Sequence, residues 1–186
     1  MAQQKLTQRA NGIDTDVLQS TIQAIEQDPE LGTCRFRVHT QWLDANRSRT
    51  TIDDFYAARE ERHHVQAHKV DADEPALLAG QDQAPNPVEH LLNALSVCLT
   101  TAMVAHAAVR GVHIEELEAD VEGDIDLRGY LGLSNEVPKG YTNIRVNFRV
   151  KSDVDNMERL KRLALYSPVY HTLVEGVNVD VQVEPK

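Results

Sequence analysis

Cys98 is the residue of this sequence best suited to nucleophilic chemistry. It lies in the long apolar segment 94–109, about three turns into a predicted helix. A free thiol has a pKa of about 8.5 and only the thiolate attacks, so a reactive cysteine needs a cation nearby. A small core residue is the alternative interpretation, because free cysteine is among the most buried residue types.

Two arginines and one glutamate could support such a thiol. Arg47 and Arg49 lie at a predicted turn, where an arginine is either solvated or able to swing over the thiol and polarise a peroxide. Glu89 precedes Cys98 by nine residues. That spacing is about two and a half helical turns, with the side chains on opposite sides, so a direct contact is excluded. We expect Glu89 to pair with Asn86 in a capping box instead.

The histidines do not form a metal-binding pattern. His63, His64 and His68 lie in a polar segment, and no second cluster of ligands appears in the sequence. His106 follows Cys98 by eight residues, which is about 12 Å along a helix, and we expect it to be a core or interface residue. The sequence therefore predicts neither a metal nor a cofactor.

A serine-based mechanism finds little support in the sequence. The G-x-S-x-G motif of serine hydrolases does not occur. Ser167 and His171 are four residues apart and would share one face of a continuous helix. Pro168 interrupts such a helix, so we expect Ser167 to cap a short helical turn.

A strong helix-start signal precedes Cys98. Asn86 is a good N-cap, Pro87 suits the first helical position, and Glu89 follows the cap by three residues. Gly111 is the expected stop, so the helix should extend to about Arg110. Apolar residues occur nearly all round its axis, which predicts burial on most sides.

The other elements are predicted from hydrophobic periodicity and turn residues. They are a helix over 13–27, a hairpin of strands 34–43 and 49–55, a weaker strand over 65–72, strands over 117–127 and 141–150, a helix capped by Asp153 or Asp155, and a last strand over 177–183. The strand over 117–127 should carry one strongly acidic face. The first eleven residues are expected to be mobile, and residues 1–30 to form an extension of a domain over 31–186. Hairpins with segregated helices predict an α+β fold.

Composition limits the functions that the chain can have. It has 186 residues, a formal net charge of −10 and 41% hydrophobic residues, enough for one domain with its own core. The acidic surface disfavours nucleic acid and anionic membranes as partners. Neither a signal peptide nor a membrane span is expected. Two cysteines do not form a disulfide framework, which indicates a reducing cytoplasm.

Two segments resemble the motifs of a known family. Residues 87–98, Pro-Val-Glu-His-Leu-Leu-Asn-Ala-Leu-Ser-Val-Cys, are similar to the central-helix motif P-x-E-x-L-L-x-A-x-x-x-C of the OsmC/Ohr family (osmotically inducible and organic hydroperoxide resistance proteins). Residues 167–173, Ser-Pro-Val-Tyr-His-Thr-Leu, resemble its second motif, C-P-V-x-x-T-L. The order of the predicted elements also agrees from about residue 34 onward.

The resemblance implies an intertwined homodimer in which antiparallel sheets wrap around two long central helices. It implies a cytoplasmic protein of the peroxide stress response, with active sites at the subunit interface. There Cys98 would attack a small organic hydroperoxide. Glu89, and either Arg47 or Arg49, would support the thiolate.

The chain departs from the family pattern at the second cysteine, where it has Ser167. A serine cannot form a disulfide with a sulfenic acid, so an external thiol would have to complete the reaction. Cys34 could resolve Cys98 in principle, but it lies outside both motifs. Two hypotheses follow: thiol-dependent peroxide reduction through Cys98, or a non-enzymatic protein that binds a small apolar ligand or senses oxidants on the same scaffold.

Overall fold

The computed structural model describes residues 8–186. The first seven of the eleven residues predicted to be mobile lie outside this range. The prediction is wrong for residues 9–11, because Arg9–Ala10 forms a short strand and the amide of Asn11 is tied down. Asn11 Nδ2 donates to the carbonyl of Val112 at 3.0 Å, and Asn11 Oδ1 accepts from the N–H of Ile114 at 3.0 Å.

The elements in chain order are antiparallel strands, most of them paired in hairpins, and helices that lie between the hairpins or follow them, as in an α+β fold. They are β1 (Arg9–Ala10), β2 (Ile13–Asp14), α1 (Thr15–Gln27), β3 (Arg35–Phe36), β4 (His39–Asp44), β5 (Arg47–Ala57), β6 (Glu60–Ala72), α2 (Pro87–Ala108), β7 (Ile114–Ile125), α3 (Leu127–Tyr130), β8 (Tyr141–Ser152), α4 (Met157–Ala164) and α5 (Pro168–Glu175). Short 3₁₀ turns occur at Pro29–Gly32 and Ala76–Leu78. The α+β class predicted from the sequence is confirmed.

Two compact units divide the chain, and their boundary lies within α2. The described part of unit 1 comprises residues 8–9 and 14–91, and unit 2 comprises residues 10–13 and 92–186. Unit 1 therefore holds the first hairpin and the first turn of α2. Unit 2 holds the rest of that helix and everything after it.

Unit 1 is built on an antiparallel sheet centred on β5, which pairs with β3, β4 and β6. The predicted hairpin is confirmed by the pairing of β4 with β5. The single strand predicted over 34–43 is instead broken at residues 37–38 into β3 and β4. β6 begins at Glu60 rather than at residue 65, because the polar residues 60–63 pair with the end of β5. Backbone pairing does not require apolar side chains. A search for alternating apolar residues therefore missed this polar part of the strand.

The loop between β6 and α2 is organised by one buried carboxylate. Asp73 is 1% exposed and accepts hydrogen bonds from the backbone N–H groups of Glu74, Gln81 and Gln83. Its burial acts to raise the pKa, but these hydrogen bonds outweigh burial and hold the pKa of Asp73 below its ordinary value. Position 80 of this loop accommodates only glycine, because a Cβ there would overlap the carbonyl oxygen of Glu74.

The helix α2 begins and ends close to the predicted positions. Its last turn closes through the N–H of Gly111, which has a φ of +66° and donates to the carbonyl of Ala108 at 3.2 Å. Within the single chain, α2 is buried on one side and not on most sides. The buried residues follow one stripe, while Val97 is 55% exposed. The stripe consists of Leu95, Leu99, Met103, Ala107 and Ala108.

Unit 2 folds around the hairpin of β7 and β8. Its inner face packs on the buried stripe of α2 and on Leu160 and Leu163 of α4. The predicted acidic face of β7 is present, and cations of β8 lie opposite it. Three clusters of ion pairs connect the two strands. In one of them, Arg149 pairs with Glu118 and Asp120, and in each of the other two a single cation also pairs with two carboxylates. They are Arg145 with Glu122 and Asp124, and Lys151 with Glu115 and Glu116.

The last part of the chain differs from the prediction at two places. Asn156, rather than Asp153 or Asp155, caps α4 by accepting from the N–H of Arg159 at 3.0 Å. The strand predicted over 177–183 is wrong, since these residues form neither a strand nor a helix. Its alternating valines are 63–91% exposed. An alternating pattern becomes a strand only where a partner strand lies beside it.

Candidate functional site

Cys98 is a free thiol on the middle of α2, within unit 2. Its side chain is half-buried, because it lies beside the buried stripe that contains Leu95 and Leu99 rather than on it. Cys34, the other cysteine, is a free and exposed thiol in unit 1. Partial access distinguishes Cys98 from an inert core cysteine and allows a small reactant to reach it.

Ser167 occupies the position of the second motif cysteine and is fully buried. Its Oγ accepts a hydrogen bond from the N–H of Tyr170 at 3.1 Å, so it caps α5. The predicted capping role is confirmed. The ring nitrogens of His171 contact Glu175 at 2.6 Å and the carbonyl of Leu165 at 3.0 Å. The structure therefore gives His171 other partners than Ser167, and a serine–histidine pair is not formed.

Two adjoining apolar cavities lie in unit 2, over the inner face of β8. The larger has a volume of about 390 Å³ and is lined by Leu99, Met103 and Phe148 among others. The smaller has about 280 Å³ and includes Leu95. Val146 and Tyr170 line both cavities. Sequence reasoning missed Tyr170 as a cavity residue, since only its place in the second motif distinguishes it.

Glu89 forms the predicted capping box at the start of α2. Its Oε2 accepts from the N–H of Asn86 at 2.9 Å, while Asn86 Oδ1 accepts from the N–H of Glu89 at 2.8 Å. Glu89 also affects a second carboxyl group in the same unit. Burial, followed by the negative charges of Asp73 and Glu89, raises the pKa of Glu74.

Arg49 is held by Asp71, which lies directly opposite it on β6. Its Nε and Nη2 donate to the two carboxylate oxygens of Asp71 at 2.7 and 2.8 Å. This two-point pairing lowers the pKa of Asp71 and raises that of Arg49. The backbone carbonyl of Asp71 also accepts from His90 Nε2 at 3.1 Å, which ties the pair to the first turn of α2. Sequence reasoning missed Asp71, because only the strand register brings it to Arg49.

Arg47 differs from Arg49 in its side-chain partners, although both lie in the first three residues of β5. Within residues 8–186 it makes no hydrogen bond and no ion pair with another side chain. It lines a polar cavity of about 140 Å³ in unit 1, together with Ser48, Asp71, Asp73 and Gln83. Of the two arginines predicted for the site, Arg47 is the one whose donors are free.

The histidines have local partners. The ring of His64 contacts Phe55 in a tilted arrangement and His68 edge-to-face, with ring centroids 5.1 and 5.2 Å apart. Across residues 8–186 no group of three His, Cys, Asp or Glu side chains is arranged to hold a metal ion. His106 stacks on Tyr166 at 4.0 Å and accepts from Arg110 Nη1 at 2.8 Å. Burial, followed by the charge of Arg110, lowers the pKa of His106.

Comparison with known proteins identifies the family. The family model for OsmC-like proteins matches residues 80–182, which is just over half of the chain and includes α2, Cys98 and Ser167. The chain belongs to the OsmC-like family. This assignment confirms the resemblance carried by the two motifs. A search of the curated proteins gives no match.

Solved structures of OsmC-like proteins share the fold. An OsmC-like protein from Mycoplasma pneumoniae is 18% identical, with 77% of this chain and 89% of that chain covered and a TM-score of 0.54. An OsmC-like protein of unknown function from Vibrio cholerae is 12% identical over 74% and 92%, with a TM-score of 0.56. An organic hydroperoxide resistance protein OsmC from Legionella pneumophila is 15% identical over 75% and 90%, with a TM-score of 0.52. Identities this low establish a common fold.

Among the described residues, one helix is long and apolar enough to cross a membrane, namely α2. Its 18-residue window has a mean hydropathy of 1.6. The core helix of a globular protein meets the same criteria, and in this family α2 is the motif helix of a globular fold. The length of α2 is therefore explained without a bilayer.

Proposed function

We propose that this protein is a thiol-dependent hydroperoxide reductase in which Cys98 is the reacting residue. The observation that carries the proposal is a free, half-buried cysteine at the family's motif position on α2. The name of the Legionella protein of the same fold, an organic hydroperoxide resistance protein, supports the choice of substrate class. Arg47 or Arg49, together with Glu89, is proposed to support the thiolate. The reaction requires a reducing compartment, and we expect the cytoplasm.

The proposed reaction needs neither a metal nor an organic cofactor, because the thiolate itself supplies the two electrons that reduce the peroxide. The Cys98 thiolate attacks the hydroperoxide oxygen farther from carbon, so that an S–O bond forms and the O–O bond breaks. Sulfur is oxidised by two electrons and the peroxide is reduced. The leaving alkoxide takes a proton and departs as an alcohol, and Cys98 remains as a sulfenic acid.

An external thiol is proposed to return Cys98 to its reduced form. Ser167 is buried in its capping role and has no sulfur with which to resolve the sulfenic acid. A small thiol condenses with the sulfenic acid, forming a mixed disulfide and releasing water. A second thiol then attacks that disulfide and frees Cys98 as a thiolate.

The decisive experiment is a stopped-flow reaction of reduced protein with cumene hydroperoxide, followed by mass spectrometry of Cys98. We expect second-order oxidation much faster than that of free cysteine. Cys98→Ser should abolish the reaction, while Cys34→Ser, which removes the exposed cysteine, should leave it unchanged. Oxidation of Cys98 no faster than free cysteine would refute peroxide reduction.

We further propose that the protein acts as a homodimer. Apolar side chains remain exposed along α2 and along the unpaired segment 177–183, including Val97 and Val183 at 55% and 91%. A second copy of the chain would cover these surfaces, and an unpaired alternating segment is suited to pair with a strand of another chain. Sedimentation velocity over a range of protein concentrations tests this proposal.

The cavities of unit 2 favour one alternative function, the non-enzymatic binding of a small apolar ligand. Leu95 and Leu99, which line them, lie on either side of Cys98 in the sequence, whereas Cys98 itself does not line either cavity. Oxidation of Cys98 beside a filled cavity would then act as a sensor. A protein that binds 1-anilinonaphthalene-8-sulfonate in unit 2, but whose Cys98 reacts no faster than free cysteine, would support this alternative.

A further inference from the structure

The two arginines that begin β5 differ in what their guanidinium groups already bind. Arg49 has two of its donor nitrogens engaged with Asp71. Arg47, which lies opposite Asp44 in the β4–β5 register, has no such partner among residues 8–186. A half-buried guanidinium presents five N–H donors, and these must be satisfied by water or by a ligand.

The cavity beside Arg47 contains two carboxylates, but neither is free to pair with it fully. Asp71 is bound at both oxygens by Arg49, and Asp73 accepts from three backbone N–H groups. The positive charge of Arg47 nevertheless contributes to lowering the pKa of both carboxyl groups, so it lies within electrostatic range of them. The charges of Arg47 and Arg49 together offset those of Asp71 and Asp73. An acceptor group that enters the cavity would therefore meet Arg47 as its charged hydrogen-bond donor.

From this arrangement we infer that unit 1 contains a binding site for a small carboxylate, in which Arg47 is the binding residue and Arg49 is structural. A carboxylate matches the planar fork of a guanidinium, with two parallel N–H···O bonds. Ser48 and Gln83 also line the cavity. The volume of about 140 Å³ corresponds to only a few water molecules, so a small carboxylate or the carboxylate end of a larger molecule fits.

Arg49 has a different role in this assignment. Its pairing with Asp71 joins β5 to β6, and the hydrogen bond from His90 to the Asp71 carbonyl joins β6 to the start of α2. The pair therefore holds the wall of the cavity in place. Arg47 or Arg49 is also proposed to support the Cys98 thiolate, but acetate binding is measured without peroxide, so the two proposals are tested by separate measurements.

The test is an NMR titration of the full chain with sodium acetate at constant ionic strength, with sodium chloride as the reference salt. We expect saturable shifts of the backbone amides of Ser48 and Gln83 and of the Arg47 Nε–H. Arg47→Gln should weaken acetate binding by at least about tenfold, because the charged fork is lost. Arg49→Lys should lower the melting temperature while changing acetate affinity by less than about threefold.

Arg35→Gln is the matched control, because Arg35 is an exposed arginine on β3 of the same sheet that also makes no hydrogen bond or ion pair among the described residues. It should leave acetate binding unchanged. Shifts that grow linearly without saturating, or an equal loss in the Arg35 and Arg47 variants, would mean that only water occupies the cavity. Loss of binding in Arg49→Lys but not in Arg47→Gln would reverse the roles and overturn the inference. A well-dispersed spectrum of each variant verifies that it folds.

Discussion

Units 1 and 2 are stabilised in different ways. Every buried hydrophobic residue of the described chain belongs to unit 2, where α2, the β7–β8 hairpin and α4 share one cluster. The buried residues of unit 1 are polar, namely Thr15 and Asp73. Its sheet instead relies on backbone pairing and on cross-strand ion pairs, such as Arg37 with Asp54 at 2.7 Å.

The difference shows which unit carries a complete core within one chain. The unit 1 sheet leaves apolar rings in contact with water. Phe36 and Trp42, for example, are 74% and 73% exposed, so this sheet lacks a complete core. Large apolar side chains exposed at several positions of one sheet are expected where another chain covers that sheet. The same reasoning supports the proposed homodimer.

The largest expected effect is on the core of unit 2. Met103 is 1% exposed, so Met103→Ala leaves a cavity and should lower the free energy of unfolding by about 2–5 kcal/mol. Val65→Ala in unit 1, at a fully exposed position, should change it by less than about 0.5 kcal/mol. Urea unfolding at low protein concentration measures both. Equal losses in the two variants would contradict the contrast between the units.

A smaller effect is expected on self-association. Val181→Asp places a charge on the apolar side of segment 177–183 and should raise the dimer dissociation constant at least about tenfold, or about 1.4 kcal/mol. Gln182→Glu adds a charge on the opposite side of the same segment and serves as the control. Sedimentation velocity measures both constants. A dimer that is equally stable in the two variants would exclude the valine side from the interface.

In unit 1 the buried carboxylate of Asp73 should matter more than its exposed neighbours. Asp73→Asn replaces an acceptor by a donor that faces backbone N–H groups, so we expect the melting temperature to fall by roughly 5 °C. Asp82→Asn, at an exposed position of the same loop whose φ of 55° suits asparagine, should have little effect.

The pH dependence of Asp73 follows from its lowered pKa. Its contribution to stability is present above the unfolded pKa near 4 and is lost as pH falls through the lower folded value. The difference in melting temperature between wild type and Asp73→Asn should therefore shrink in strong acid. A constant difference down to about pH 2 would contradict this assignment of the charge.

The smallest expected effect concerns His171 in unit 2. Both of its ring nitrogens face acceptors, and the hydrogen bond to Glu175, followed by that to Leu165, raises its pKa. A raised folded pKa gives stability that is complete below the unfolded value near 6.5 and lost as pH rises through the folded one.

His171→Gln should therefore lower the melting temperature by about 1–2 °C at pH 6 and by less at pH 9. His39→Gln, which replaces an exposed histidine of β4, is the control variant. Thermal unfolding across this range of pH provides the measurement, and a larger loss at pH 9 than at pH 6 would reverse the sign of the linkage.

The sequence was most informative where one local pattern determines the outcome. The capping box of Asn86 and Glu89 and the cap at Ser167 involve residues within three positions of each other, and both are confirmed. The alternation in β7 and β8 was equally reliable because their inner faces meet a helix of the same unit.

Prediction failed where the partner of a residue is far away in the sequence. Segment 177–183 has the alternation of a strand but no neighbouring strand within the described chain, and the helical pattern of α2 could not show which of its sides is covered. Asp71 was not predicted as a site residue, because its pairing with Arg49 depends on the β5–β6 register. A search for opposite charges at cross-strand positions of the predicted strands would have found it.

The outer face of the β7–β8 hairpin restricts how copies of this protein can meet. Three cations of β8 form ion pairs there with six carboxylates of β7, so the net charge remains negative after every cation is engaged. Two such faces repel each other, and removing their charges from water would be costly. The inner face of the hairpin is already packed on α2 and α4, and its outer face is expected to stay in water, so a second copy of the chain has to bind at other surfaces.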